Sequence, residues 1–206
     1  MRQIIGLALA VFVFGAVPAV AADNRYPDWP CKQLKVPELS ASAIWPEPLP
    51  ETASASASEI PGLKDTAQKL ATRRTPLEEA EKEISAFVAG TAEERKEKAV
   101  RLFLAMFDAL NSQRFQVMNG LERAYRRQKE FVQTIQADGD KLHGLQDANA
   151  DGAQIAELVT QIQWETRIFD ERRKMLTYAC EVPVEIDQRI FALARALQKA
   201  AGIGQG

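Results

Sequence analysis

The sequence predicts an all-α protein in which a long antiparallel helical hairpin projects from a small helical bundle, preceded by an extended strap rich in proline and tryptophan. From Pro61 onward, apolar residues recur at steps of three and four, which is the spacing of one helix face. A polar stretch over 147–152 separates two such patterns, and a short turn requires neighbouring helices to run antiparallel. Residues 22–50 instead carry six prolines, which lack a backbone N–H and disfavour helix in the residue before them.

Residues 1–21 have the pattern of a signal peptide. A short basic start precedes an apolar run over 4–14, and Ala19-Val20-Ala21 supplies the small residues that signal peptidase requires. The run is shorter than the roughly 20 residues that span a bilayer. We therefore expect cleavage before Ala22, a periplasmic or secreted location, and no transmembrane segment after cleavage. An uncleaved N-terminal anchor is the alternative.

The strap, residues 22–50, carries Trp29 and Trp45 among several aliphatic residues. A purely disordered tail would not normally contain them, so we expect these side chains to anchor the strap on the helical body. The alternative is that Trp29 and Trp45 bind a partner. Residues 51–60, largely alternating alanine and serine, predict a flexible linker, and residues 61–206 predict the helical domain.

Five helices are expected in this domain, over 62–72, 75–90, 92–146, 153–179 and 184–200. Thr75 is expected to cap the second helix, and Thr91 with Glu94 forms a capping box at the start of the third. Glycines inside the third helix disfavour it locally by about 1 kcal/mol each relative to alanine; they are Gly120, Gly139 and Gly144. Pro183 is expected to interrupt the chain over 181–183.

The third helix would be about 80 Å long at 1.5 Å per residue. Its second half is expected to pair with the fourth helix, whose inner face includes Met175 and Leu176. Its first half is expected to form a small bundle with the last helix and the helix over 75–90. Ion pairs across the arms are expected between two sets of side chains, the basic Arg123, Arg126, Arg127 and Lys129 and the acidic Glu165, Asp170 and Glu171.

The two cysteines of the chain, Cys31 and Cys180, both follow the signal pattern. Disulfides form and persist in exported proteins, so we expect one bond that ties the strap to the end of the fourth helix. The two cysteines do not form a Cys-x-x-Cys motif, the spacing typical of thiol redox sites, which favours a structural bond over a redox site. The alternative is an intermolecular bridge through one exposed cysteine.

Charge and composition narrow the function classes. The net charge is −2, and this near-neutral balance disfavours nucleic acid as a partner, because nucleic acid binding requires a clustered basic face. The single histidine, His143, has no recognisable nucleophile or metal-ligand partners in the sequence. We predict no catalytic residue and do not expect an enzyme.

The turn between the arms has one chemical interpretation. Asp147, Asn149 and Asp151, followed by Gly152, place oxygen atoms at alternate positions, as calcium loops do. The twelfth position, however, holds Leu158 where such a loop requires glutamate. Aspartate, asparagine and glycine are also the ordinary residues of polar turns. The turn is therefore either purely structural or a site for calcium or a lanthanide.

The segment Tyr26-Pro27-Asp28-Trp29-Pro30-Cys31, followed by 35–40 and Trp45, resembles the start of uncharacterised exported proteins of proteobacteria. The resemblance covers about a tenth of the chain. It implies an envelope protein and no known activity.

Together these observations predict a non-catalytic periplasmic adaptor or scaffold that binds an envelope protein through its hairpin, as helical surfaces commonly do. A periplasmic cation-binding protein that uses the turn over 147–152 is the alternative, and an enzyme is the third hypothesis. The sequence does not indicate the oligomeric state.

Overall fold

A computed structural model describes residues 25–50 and 60–204. The predicted signal peptide, residues 1–21, and nearly all of the predicted linker, residues 51–60, lie outside these ranges. Within them, the chain forms helices and no β strand, which confirms the all-α prediction. The helices are α1 (Ala41–Ile44), α2 (Leu63–Ala71), α3 (Leu77–Phe87), α4 (Ala92–Asp147), α5 (Gly152–Ala179) and α6 (Glu181–Ala201).

Helix α4 is continuous over 56 residues, about 84 Å at 1.5 Å per residue. It begins at the predicted capping box: the Thr91 hydroxyl accepts from the Glu94 backbone N–H at 3.3 Å, and the Glu94 carboxylate accepts from the Thr91 N–H at 2.8 Å. The three internal glycines do not break the helix. Tertiary packing therefore outweighs their low helix propensity.

Helices α5 and α6 return antiparallel to α4, and Cys180 alone separates them. Cys180 itself has helical angles, φ −64° and ψ −20°. The expected interruption over 181–183 is wrong, because Pro183 lies inside the first turn of α6. A backbone N–H at this position would have no carbonyl partner within α6, so the proline, which lacks an N–H, removes no hydrogen bond of that helix.

Helix α3 differs from the prediction at its start. Pro76 is the N-cap, with no side-chain cap hydrogen bond, and the Thr75 hydroxyl instead donates to the Lys69 carbonyl at 3.5 Å. Helix α3 packs mainly on α6, whereas α2 lies on α4. The bundle therefore includes α2, which the predicted arrangement left out.

The core sits in the bundle, where α4 and α6 bury their apolar faces against each other and against α2, α3 and the strap. Phe103 on α4 is fully buried and stacks on Trp45, with ring centroids 4.7 Å apart. The hairpin is thinner, and Leu158 is the one residue of α5 that is buried. The arms are thus held by half-buried contacts rather than by a core of their own.

The strap packs along one side of α4 and contains the short helix α1, which the sequence did not predict. A disulfide joins Cys31 to Cys180, with Cα atoms 5.5 Å apart, which confirms the predicted pairing. Asp28 forms ion pairs with Arg126 at 3.1 Å and Lys129 at 2.7 Å. These contacts hold the first part of the strap on the root of the hairpin.

The expected ion pairs between the arms are wrong for the residues whose partners are seen. Arg126 and Lys129 bind Asp28 of the strap, as described above. Asp170 pairs with Arg173 at 3.3 Å and Glu171 with Lys174 at 3.2 Å, both within α5. The arms are joined instead by uncharged donors: the Gln128 amide donates to the Phe169 carbonyl at 2.8 Å, and the Gln161 amide donates to Asp138 at 2.9 Å.

Candidate functional site

The two faces of the hairpin root differ, because the strap covers only one of them. On α4, the strap contacts Glu122, Arg126 and Lys129. Ala124 is two residues from Arg126, which places it about 200° around the helix and therefore on the opposite face. That opposite face carries an open groove between α4 and α5.

The groove has a volume of about 810 Å³, and most of its surface is apolar. Its walls come from α4 and α5, and α6 and the segment before α3 contribute at the bundle end. It is lined by Arg73, Val117, Gly120, Leu121, Ala124, Arg127, Gln128, Glu171, Arg172, Met175, Leu176, Ala179 and Val182. The small residues of α4, Gly120 and Ala124, explain why the arms do not fill this space themselves.

Cationic side chains lie at the end of the groove nearest the hairpin tip. Within the described ranges, Arg127 and Arg172 form no ion pair with a carboxylate. Arg172 lies over the ring of Phe131, with its guanidinium carbon 4.9 Å from the ring centroid. Glu171 is held by Lys174, as described above. This end of the groove therefore presents two guanidinium groups that no carboxylate of the described chain neutralises.

Helix α5 also exposes three large apolar side chains along one line. Trp164, Met175 and Tyr178 are 60%, 69% and 75% exposed. Trp164 lies 11 residues before Met175 and 14 before Tyr178, which places all three within about 60° of one another around the helix axis. We call these three residues the α5 stripe. Tryptophan, tyrosine and methionine are enriched at protein interfaces, so the stripe is a candidate partner surface.

The stripe was not predicted, and the predicted placement of Met175 on the inner face is wrong, because this side chain is 69% exposed. Met175 lines the groove together with Gly120 and Ala124 of α4. A signal for the stripe was present in the sequence: Trp164 and Tyr178 repeat at helical spacing but fall outside the inner set of α5.

The turn at the hairpin tip is explained by local capping. The Asp151 carboxylate accepts from the Ala153 N–H at 3.1 Å and so caps α5. Asn149 has φ 51°, a conformation that asparagine tolerates in turns. Asp147, Asn149 and Asp151 are all exposed. The described chain brings together no group of three or more His, Cys, Asp or Glu side chains that could hold a metal ion, and calcium binding stays a prediction.

The two strap tryptophans lie away from the groove. Trp45 is 3% exposed and packs in the core, as the anchoring interpretation expects. Trp29 is half-buried, and its indole N–H donates to the Gln33 carbonyl at 2.7 Å. Gln33 in turn donates to the Cys180 carbonyl at 2.6 Å. Both tryptophans therefore have structural contacts within the chain.

No helix within the described ranges is long and apolar enough to cross a membrane. No family model matches the chain, and no curated protein and no solved structure is significantly similar to it.

Proposed function

We propose that this chain is an exported, non-catalytic helical adaptor that binds a protein of the cell envelope through the α5 stripe. The observation that carries the proposal is the exposure of Trp164, Met175 and Tyr178 on a single face of α5, described above. Exposed tryptophan, tyrosine and methionine side chains that share one helix face are typical of protein interfaces. The partner surface is therefore apolar at its centre.

Two further features support a role in the envelope. The signal pattern over 1–21 favours export, and the Cys31–Cys180 disulfide suits an oxidising compartment. The long hairpin suits an adaptor because it carries the stripe on an arm that projects away from the bundle.

Site-specific photo-crosslinking in the native organism tests this proposal. Benzoylphenylalanine is placed at Trp164 or at Tyr178 on the stripe, and at Thr166 as the control. Thr166 is exposed on the same helix but lies about 120° from Tyr178 and about 160° from Trp164 around its axis. We expect one partner to be cross-linked at 164 and 178 and not at 166.

The partner is then identified by mass spectrometry, purified, and titrated against the protein. Tyr178→Ala should raise the Kd for the partner at least tenfold, since aromatic anchors commonly contribute about 2 kcal/mol or more of the binding energy. Thr166→Ala should leave it unchanged. Equal cross-linking at all three positions, or a Kd insensitive to Tyr178→Ala, would refute the proposal.

A further inference from the structure

We propose that the groove between α4 and α5 is a binding site for a long-chain fatty acid. The acyl chain lies along the apolar walls and the carboxylate binds Arg127 and Arg172. This site uses the groove floor and the two arginines rather than the α5 stripe, with which it shares only Met175. It therefore stands independently of the adaptor proposal.

The groove is apolar over most of its length and, within the described ranges, carries unpaired cationic groups at one end, which matches the apolar chain and anionic end of a fatty acid. At the bundle end the walls include Val117, Val182 and Arg73, whose guanidinium is paired with Glu185 at 3.2 Å. The middle is formed by Leu121, Ala124 and Leu176. The charged Arg127 and Arg172 lie at the tip end. From 117 to 128, α4 supplies about 16 Å of wall at 1.5 Å per residue. This length is shorter than a fully extended 18-carbon chain, so such an acid binds bent, as its cis double bonds permit.

The charge at the tip end favours one carboxylate. Arginine binds carboxylates in bidentate fashion, and neither Arg127 nor Arg172 is neutralised by a carboxylate of the described chain. Glu171 lies beside them, and its pairing with Lys174 at 3.2 Å leaves that pair without net charge. A fatty-acid carboxylate would pair with these guanidinium groups, whereas an uncharged lipid would gain no charge pairing from them.

The size of the groove suits a small ligand. Its volume of about 810 Å³ lies in the range of small-molecule sites, roughly 300–1,000 Å³. A helix of a partner protein is the competing occupant, and cross-linking from position 124 distinguishes the two.

The test uses cis-parinaric acid, a naturally fluorescent 18-carbon fatty acid, with the purified protein, and oleate as the displacing ligand. Wild type should bind oleate with a Kd on the order of 10–100 µM, from the binding energy per atom usual for ligands of this size. The double variant Arg127→Ala, Arg172→Ala should raise the Kd for oleate about tenfold or more, because hydrogen bonds to charged groups are lost. Methyl oleate, which lacks the charge, should bind wild type more weakly by a similar factor.

Two matched variants control for changes in fold and in total charge. Arg123→Ala with Arg167→Ala removes two exposed arginines outside the groove and should leave oleate binding unchanged. Ala124→Phe fills the groove from its half-buried floor. It should abolish the binding of cis-parinaric acid while the circular dichroism spectrum stays native.

Failure of oleate to displace cis-parinaric acid at 100 µM would overturn the fatty-acid site. So would an equal loss of oleate affinity in the Arg127/Arg172 and Arg123/Arg167 double variants. So would cross-linking of a partner protein from benzoylphenylalanine at Ala124, because the groove would then belong to a protein interface. None of these outcomes alters the cross-linking expected at Trp164 and Tyr178, so the two proposals fail separately.

Discussion

At the scale of single residues, Arg114 joins three parts of the chain. It is 3% exposed on α4. Its guanidinium donates to Asp187 of α6 at 2.6 Å and to the Pro37 carbonyl of the strap at 3.3 Å. A buried charge is stabilised only when it is paired and hydrogen-bonded. The position of α6 and the path of the strap are therefore both coupled to one side chain of α4.

Removing the partner of Arg114 should destabilise the protein more than removing the pair. Asp187→Ala leaves a buried guanidinium without its counter-ion and should lower the free energy of unfolding by about 3 kcal/mol. Arg114→Met combined with Asp187→Leu should cost less, because no charge is left buried. Urea denaturation of the two variants measures this difference. A double variant that is less stable than Asp187→Ala would contradict the argument.

Asp28 gives the strap a pH-dependent contact. Hydrogen bonds donated by Lys129 and Arg126 hold the pKa of the Asp28 carboxyl below its ordinary value of 3.8. Because this pKa is lowered in the folded state, the stabilisation is fully present above about pH 4. It is lost as the pH falls through the lower folded-state value.

Asp28→Asn should therefore lower the Tm at pH 7 and make progressively less difference to it as the pH falls below 4. Thermal unfolding of both proteins across this range measures the effect. Asp140→Asn, which alters an exposed carboxylate near the hairpin tip, is the control and should leave the Tm unchanged at pH 7. An Asp28→Asn effect of the same size at pH 7 and well below the folded-state pKa would show that the carboxylate charge is not the cause.

At the scale of elements, the starts of α3 and α4 use different chemistry although both are preceded by threonine. Thr91 and Glu94 satisfy each other's backbone donors at the start of α4. The backbone N–H of Thr91, followed by its hydroxyl, holds the pKa of the Glu94 carboxyl below its ordinary value. Thr75 makes no such contact, because Pro76 follows it and is itself the N-cap of α3.

Alanine substitutions should separate the two threonines. Thr91→Ala should lower the free energy of unfolding by about 1 kcal/mol, the usual contribution of an N-cap hydroxyl. Thr75→Ala should have a smaller effect, because its hydroxyl makes only a 3.5 Å contact with the Lys69 carbonyl. Chemical denaturation measures both. Equal losses would mean that Thr75 contributes as a cap after all.

The helices could be predicted from the sequence, and most of their ends lie within three residues of the predicted positions. Their periodic apolar faces and the capping box are local signals. The partners of α2 and α3 could not be predicted, because apolar stripes of similar character do not specify which face they meet. The contacts of Asp28 with Arg126 and Lys129 span 98 and 101 residues. No local pattern distinguishes these basic residues from Arg123 and Arg127.

At the scale of the whole molecule, the disulfide could be predicted but the groove could not. With two cysteines, one intramolecular pairing exists, whereas a groove depends on the relative position of four segments. The exposed Met175 illustrates this limit, because helical periodicity alone does not show that the groove it lines is left open. Nor does it show that Arg127 and Arg172 have no carboxylate partner within the described ranges.

Loss of the disulfide should destabilise the whole protein. The bond closes a loop with a sequence separation of 149 residues, for which the chain-entropy model gives an upper estimate of about 5 kcal/mol. Cys31→Ala with Cys180→Ala should therefore lower the free energy of unfolding by up to this amount. Urea denaturation of wild type with and without reductant is the comparison. A reduced wild type as stable as the oxidised protein would show that the remaining strap contacts suffice.

The same separation of 149 residues sets an order of events during biosynthesis. Ribosomes add roughly 5–20 residues per second, so Cys31 is made on the order of 10 s before Cys180. Throughout that interval Cys31 has no second thiol of its own chain with which to react. The Cys31–Cys180 bond can therefore form only after α4 and α5 have been synthesised, and its presence marks a chain whose hairpin sequence is already complete.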